Sequence, residues 1–151
     1  MMSNDLIELL RAFNAHEVKY LIVGSYALGV HSEPRATKGL DLFVCSEKDN
    51  IEAVFRALAL YGVTLDDLTP AVATKSTVLQ IGQPPARIDI MQDIDGLSFN
   101  KAWESRVEGM IDSNTPAHVI SREHLIQNKL AMGRYQDLAD VEKLRESAPE
   151  E

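Results

Sequence analysis

The sequence predicts an α/β (α+β) fold: a mixed sheet flanked by helices, with further helices at the C-terminal end. Three observations predict it. Apolar residues recur at helical spacing in two N-terminal stretches, short β-prone apolar runs follow each of them, and two later runs close across Gly82-Gln83-Pro84-Pro85. Alternating helices and strands imply parallel pairing, whereas a hairpin is antiparallel, so the sheet should be mixed.

Ser3 can cap a first helix beginning near Asn4, whose apolar face carries Leu6, Leu9, Leu10 and Phe13. Lys19 to Val23 is a short apolar run, read as a buried strand. It stops at Gly24-Ser25, and a short helix over about Tyr26 to His31 should follow. Ser32 to Lys38 is a polar turn, and Leu40 to Cys45 a second strand. Ser46-Glu47-Lys48-Asp49 has the spacing of a capping box. Ile51, Val54, Phe55 and Leu58 then mark a helix ending at Gly62. Val63 to Thr77 shows no regular pattern. Val78 to Ile81 and Arg87 to Met91 form the hairpin. Asp95-Gly96 marks a turn, and Ser98 caps a short helix containing Ala102 and Trp103. Val107 to Ile111 and His118 to Ile120 read as strands around Asn114-Thr115-Pro116. Ser121 caps another helix that Gly133 interrupts, and a last helix spans about Tyr135 to Arg145.

The chain has 151 residues, with 15 Lys and Arg against 23 Asp and Glu, a formal net charge of −8. Hydrophobic residues make up 45% and charged residues 25%, which excludes a disordered or fibrous chain. We expect one domain over 1–151, with a C-terminal helical part at about 121–147 and a frayed tail at 148–151. No apolar run approaches the roughly 18 residues that a membrane span needs. The first residues have neither a basic leader nor a small-residue cleavage site, so the expected location is the cytoplasm, with no membrane partner. A single cysteine, Cys45, excludes an internal disulfide and a cysteine-based zinc site and reads as a small buried apolar residue. The acidic total argues against broad binding to duplex nucleic acid.

Three features bear on chemistry. Gly24-Ser25 sits between a strand and a helix, where glycine lets a ligand approach the backbone and free N–H groups attract anions. An ordinary tight turn would look the same. Asp41 lies inside Leu40-Asp41-Leu42-Phe43, and a carboxylate among apolar strand residues is costly unless a cation compensates it. Asp89 repeats the pattern in Arg87-Ile88-Asp89-Ile90-Met91, with Arg87 on the same face and able to pair with it. Two such strands in one small sheet favour a shared carboxylate site. His16, His31, His118 and His124 show no metal-ligand spacing. Phe99 and Trp103 read as core, and Asp93 and Asp95 as turn residues.

Gly24-Ser25, a spacer through Lys38, and Gly39-Leu40-Asp41-Leu42 together resemble the signature of the polymerase-beta superfamily of nucleotidyltransferases. The stretches VKYLIVGSYALGVHSEPRATK, ARIDIMQDIDGLSFNKAW and VISREHLIQNKLAMGRYQDLADVEKL resemble its small bacterial members, both the minimal and the toxin-type relatives. The resemblance implies the polymerase-beta-like fold and transfer of a nucleoside monophosphate from a nucleoside triphosphate to a hydroxyl. The acceptor could be a tRNA end, a protein or a small molecule. It also implies two Mg²⁺ ions, with Mn²⁺ as a substitute, because crowded phosphate charge is steadied by oxygen-bound hard cations. Asp41 and Asp89 would be catalytic and bind metal. Gly24, Ser25, Lys38 and Lys129 would hold the nucleotide, and Arg35, Arg87 and Asp137 would touch phosphate or acceptor. Arg134 with Asp137 reads equally as an ordinary helix pair.

One departure is central. The family pattern has an Asp where this chain has Gly39, on the same strand face as Asp41. That degenerate position implies impaired transfer. The otherwise intact motif favours a recent or deliberate loss over long decay. The alternative function is a non-catalytic nucleotide-binding module, or a toxin–antitoxin component that works by contact with an antitoxin or toxin partner.

Overall fold

The computed structural model describes residues 4–33, 39–62, 68–70, 77–83 and 86–147. Ser3, Arg35, Lys38, the hairpin tip at 84–85 and the tail at 148–151 lie outside the described residues.

The first helix, α1 (Asn4–Ala15), buries Leu6, Ile7, Leu9, Leu10, Ala12 and Phe13, the stripe that a 3.6-residue period puts on one side. β1 (Tyr20–Val23) is buried at all four positions, and its unbroken Tyr-Leu-Ile-Val run is what a strand covered on both faces requires. The chain enters α2 (Gly24–His31) directly from β1, two residues earlier than the sequence suggested. β2 (Gly39–Val44) and α3 (Lys48–Tyr61) follow. The expected capping box at Ser46 is absent. Glu47 is the N-cap and makes no side-chain cap bond, because the chain stays extended one residue longer than the Ser-to-Asp spacing assumed. Gly62 closes α3 in the left-handed conformation that glycine adopts without strain.

β3 (Leu68–Pro70) falls in the stretch that showed no pattern. β4 (Thr77–Ile81) and β5 (Arg87–Met91) form the expected antiparallel hairpin. α4 (Phe99–Glu104) is capped by Ser98, whose side chain accepts from the Lys101 N–H. β6 (Val107–Met110) and β7 (Pro116–Val119) pair antiparallel. α5 (Arg122–Met132) is capped by Ser121, and Gly133 ends it rather than interrupting it. α6 (Tyr135–Glu146) follows after Gly133 and Arg134.

Among the described residues the sheet has seven strands in the order β3-β4-β5-β2-β1-β7-β6. β2 with β5 and β1 with β7 are parallel, and the other pairs are antiparallel. The sheet is therefore mixed. Leu40, Leu42 and Val44 of β2 are buried, alternating with Asp41 and Phe43 on the other face. Phe43 meets Phe99 edge-on at 5.1 Å, and Phe99 stacks on Trp103 at 5.7 Å, so both aromatics of α4 pack against the core. Cys45 is buried. α1 packs on α3, and α2 packs on α5 and α6. Asn50 of α3 ties the start of β1 to the end of β2: its side chain accepts from the Lys19 N–H and donates to the carbonyls of Lys19 and Cys45. No helix among the described residues is long and apolar enough to cross a membrane.

Candidate active site

The site grows from the junction of β1 and α2. A strand that turns straight into a helix needs a residue able to take φ +67°, and Gly24 supplies it. It is needed a second time for space. A Cβ on Gly24 would overlap the Oδ2 of Asp41, so the Asp41 carboxylate rests directly against the Gly24 backbone. The N-cap of α2 is Val23, which offers no side-chain acceptor. The N–H groups of Gly24 and Ser25 have no partner within the helix, and the helix dipole makes this end electropositive.

Register does the rest. Val23 pairs with Asp41 across β1 and β2, and Asp41 pairs with Asp89 across the parallel strands β2 and β5. Adjacent in-register residues share a face, so the two carboxylates lie side by side. Burial pushes the Asp41 carboxyl up from 3.8 to about 6. The neighbouring Asp89 charge adds to this, Arg87 and Lys129 oppose it, and a hydrogen bond to Asp89 favours the protonated form. Asp89 is held from two sides. Gln80 of β4 donates through Nε2 to Asp89 Oδ1 at 2.9 Å, and Arg87 approaches Oδ2 at 3.4 Å.

The opposite wall comes from α5 and α6. The left-handed Gly133 cap lets α6 double back at once. Asp137 caps the start of α6 from within: its Oδ2 accepts from the Arg134 backbone N–H at 3.2 Å and from the Arg134 Nε at 2.6 Å. This is more than an exposed helix pair, since Asp137 is buried. The Arg134 hydrogen bond is the largest influence keeping the Asp137 carboxyl below its ordinary value. Lys129 is buried too. Its ammonium donates to Asp140 at 2.9 Å and lies 3.8 Å from Asp137. Gln136 donates to the second Asp140 oxygen at 3.0 Å. Asn128 and Gln127 hold the turn at Asp95 and Gly96 by hydrogen bonds to both carbonyls.

Between these walls lies a cleft of about 340 Å³. Gly24, Ser25, Asp41, Asp89, Lys129 and Asp137 all line it, so six residues singled out from the sequence converge there. Arg87 stands beside it as the partner of Asp89. The cleft is also lined by Asp95, Asn128, Met132, Gln136 and Asp140, which sequence reasoning did not place in a site. Only the Arg-x-x-Asp-x-x-Asp spacing of Arg134, Asp137 and Asp140 hinted at a shared helix face. A larger cavity of about 470 Å³, lined by Phe43, Glu47 and Asp93 among others, shares no residue with this cleft.

Gly39 pairs with Arg87. A Cβ there would overlap the backbone carbonyl of Arg87, so an aspartate at this position requires β2 and β5 to part locally. Among the described residues no three or more His, Cys, Asp or Glu side chains converge as a metal set. What the site offers a cation is the Asp41–Asp89 pair, two adjacent carboxylates with burial and mutual repulsion working against them. That donor set fits one hard cation arriving with phosphate ligands, the usual way in which Mg²⁺ is held.

No family model matches the sequence, and no curated protein matches it. Solved structures do. The lincosamide antibiotic adenylyltransferase LnuA, solved with lincomycin bound, is similar at a TM-score of 0.63 and 14% identity, covering 97% of this chain and 99% of that one. ANT(2")-Ia, in complex with adenylyl-2"-tobramycin, is similar at 0.65 and 11% identity, covering 94% and 86%. A candidate nucleotidyltransferase from Thermotoga maritima is similar at 0.62 and 14% identity, covering 98% and 97%. With the order of strands, the paired carboxylates and these likenesses together, the chain has the fold of the small polymerase-beta-like nucleotidyltransferases.

Proposed function

We propose that this cleft binds a nucleoside triphosphate with its divalent cation and transfers the nucleoside monophosphate to a hydroxyl of a small acceptor, slowly because position 39 carries no carboxylate. The observation that carries the reading is the in-register Asp41–Asp89 pair seated against Gly24. Mg²⁺, when bound, would draw charge from the phosphorus and steady the departing pyrophosphate. Asp41 and Asp89 would hold that ion. The N–H groups of Gly24 and Ser25 would receive the outer phosphates. Asp89 would accept a hydrogen bond from the acceptor hydroxyl and aim its oxygen at the α-phosphorus. The new P–O bond forms there as the bond to the β-phosphate breaks, and the hydroxyl proton leaves with the products. Lys129 is committed to Asp140, so it acts as a fixed positive charge behind the cleft. Five carboxylates line the cleft against one lysine and one arginine, which favours a neutral or amine-bearing acceptor over a polyanion such as RNA.

Calorimetry with ATP, CTP, GTP and UTP, with and without Mg²⁺, followed by labelled-nucleotide transfer to hydroxyl compounds with and without amines, tests this. We expect Mg²⁺-dependent binding of at least one nucleotide, weakened but measurable in Asp41→Asn and Asp89→Asn, and slow transfer, lost in both. Absence of nucleotide binding overturns the reading. The tight fit of Gly39 against Arg87 favours one second reading, a nucleotide-binding module without transfer. Binding with no transfer to any acceptor supports that one.

A further inference from the structure

The strand β4 contributes one side chain to the carboxylate pair, and nothing in its local sequence announces it. Gln80 lies in Thr-Val-Leu-Gln-Ile, where a polar residue on a strand reads as a solvated face. Register puts it opposite Asp89 across the hairpin, and its Nε2 meets Asp89 Oδ1 at 2.9 Å. Asp41 flanks Asp89 on the other neighbouring strand. The three side chains thus form a row over β4, β5 and β2, with Asp89 in the middle. A carboxylate has about four lone-pair directions. Gln80 takes one on Oδ1, and Arg87 approaches one on Oδ2 at the longer distance of 3.4 Å.

A carboxamide differs from a cation in this place. It fixes the carboxylate plane without cancelling its charge, so the remaining lone pairs stay available to a positive ligand. We propose that Gln80 is a positioning residue of this site: it orients Asp89 toward Asp41 for a cation–triphosphate complex and makes no contact with that complex itself. This rests on the nucleotide-binding reading above.

The test is a double-mutant cycle read by Mn²⁺·ATP binding, followed by electron paramagnetic resonance and calorimetry. Removing the carboxamide in Gln80→Leu should weaken Mn²⁺·ATP binding about tenfold or more, the range typical when a partner of a metal ligand is lost. Asp89→Asn should weaken it further, and adding Gln80→Leu to Asp89→Asn should change nothing more. Gln80→Thr, which keeps strand preference but cannot reach Asp89, should match Gln80→Leu, and circular dichroism of both variants shows whether either merely fails to fold. Equal binding by the unaltered chain and by folded Gln80→Leu overturns the inference and leaves the nucleotide reading intact. A Gln80→Leu effect that persists in full in the Asp89→Asn background also overturns it, because Gln80 would then act through something else. No Mn²⁺·ATP binding by the unaltered chain overturns both.

Discussion

Asp41 is half-buried between Gly24 and Asp89, and its carboxyl is pushed up to about 6 from an ordinary 3.8, first by burial and then by the Asp89 charge. The folded chain therefore holds a proton over a pH window in which the unfolded chain has released it. Stability should fall as pH rises from about 4 to about 6, by up to about 3 kcal/mol. Asp41→Asn should remove this slope and be more stable than the unaltered chain at pH 7. Thermal unfolding of both at pH 4.5 and pH 7 without divalent cation checks it, and equal slopes would refute the assignment. Asp41 and Asp89 were legible in the sequence because each interrupts an apolar strand, a costly pattern that asks for a cation. Gln80 was not, because only strand register turns an unremarkable glutamine into the neighbour of a carboxylate.

The buried ion pairs belong to α5 and α6 as elements. Lys129 and Asp140 pair at 2.9 Å, both almost fully buried, and Asp137 lies beside them. Removing Asp140 leaves the buried Lys129 ammonium with Asp137 alone, 3.8 Å away, to compensate it in a poorly solvated place. Asp140→Ala should therefore cost about 3–5 kcal/mol, and pairing Asp140→Leu with Lys129→Met should recover most of that loss. Urea titration reads this as a midpoint shift at constant slope, and a loss under about 1 kcal/mol would show that the pair is not closed to water. Helices with a strong apolar stripe, α1 and α3, were legible in the sequence. Their caps were less so, since Ser46 had the right spacing but Glu47 holds the N-cap geometry. β3 was hidden because three residues ending in proline carry no alternation, and pairing to β4 is what makes them a strand. Pro116 in β7 is likewise a strand residue that proline at the edge of a run disguised.

For the whole molecule, ligand binding and stability are linked by mass action. At a hundredfold excess over the dissociation constant, Mg²⁺·ATP should add about 2.7 kcal/mol and raise the melting temperature by about 5–10 °C. Without Mg²⁺ the shift should shrink, because free triphosphate would meet Asp41 and Asp89 uncompensated. Scanning calorimetry with each nucleotide measures this, and a shift of equal size without Mg²⁺ would remove the carboxylates from the nucleotide site. The net charge of −8 was legible at once and set the expectation about duplex nucleic acid. The distribution of that charge was not legible. Five acidic side chains converge on one cleft because β2, β5, the turn at Asp95 and α6 all fold toward it.

Gly24 and Asp41 occupy what is in effect one volume, since the absent side chain of the first is the room taken by the carboxyl of the second. The two positions should therefore vary together among sequences with this backbone. Any chain that acquires a side chain at the first must shorten or reorient the second. Inspecting position 24 of a newly read relative then reveals, before any assay, whether its acidic partner still has somewhere to stand.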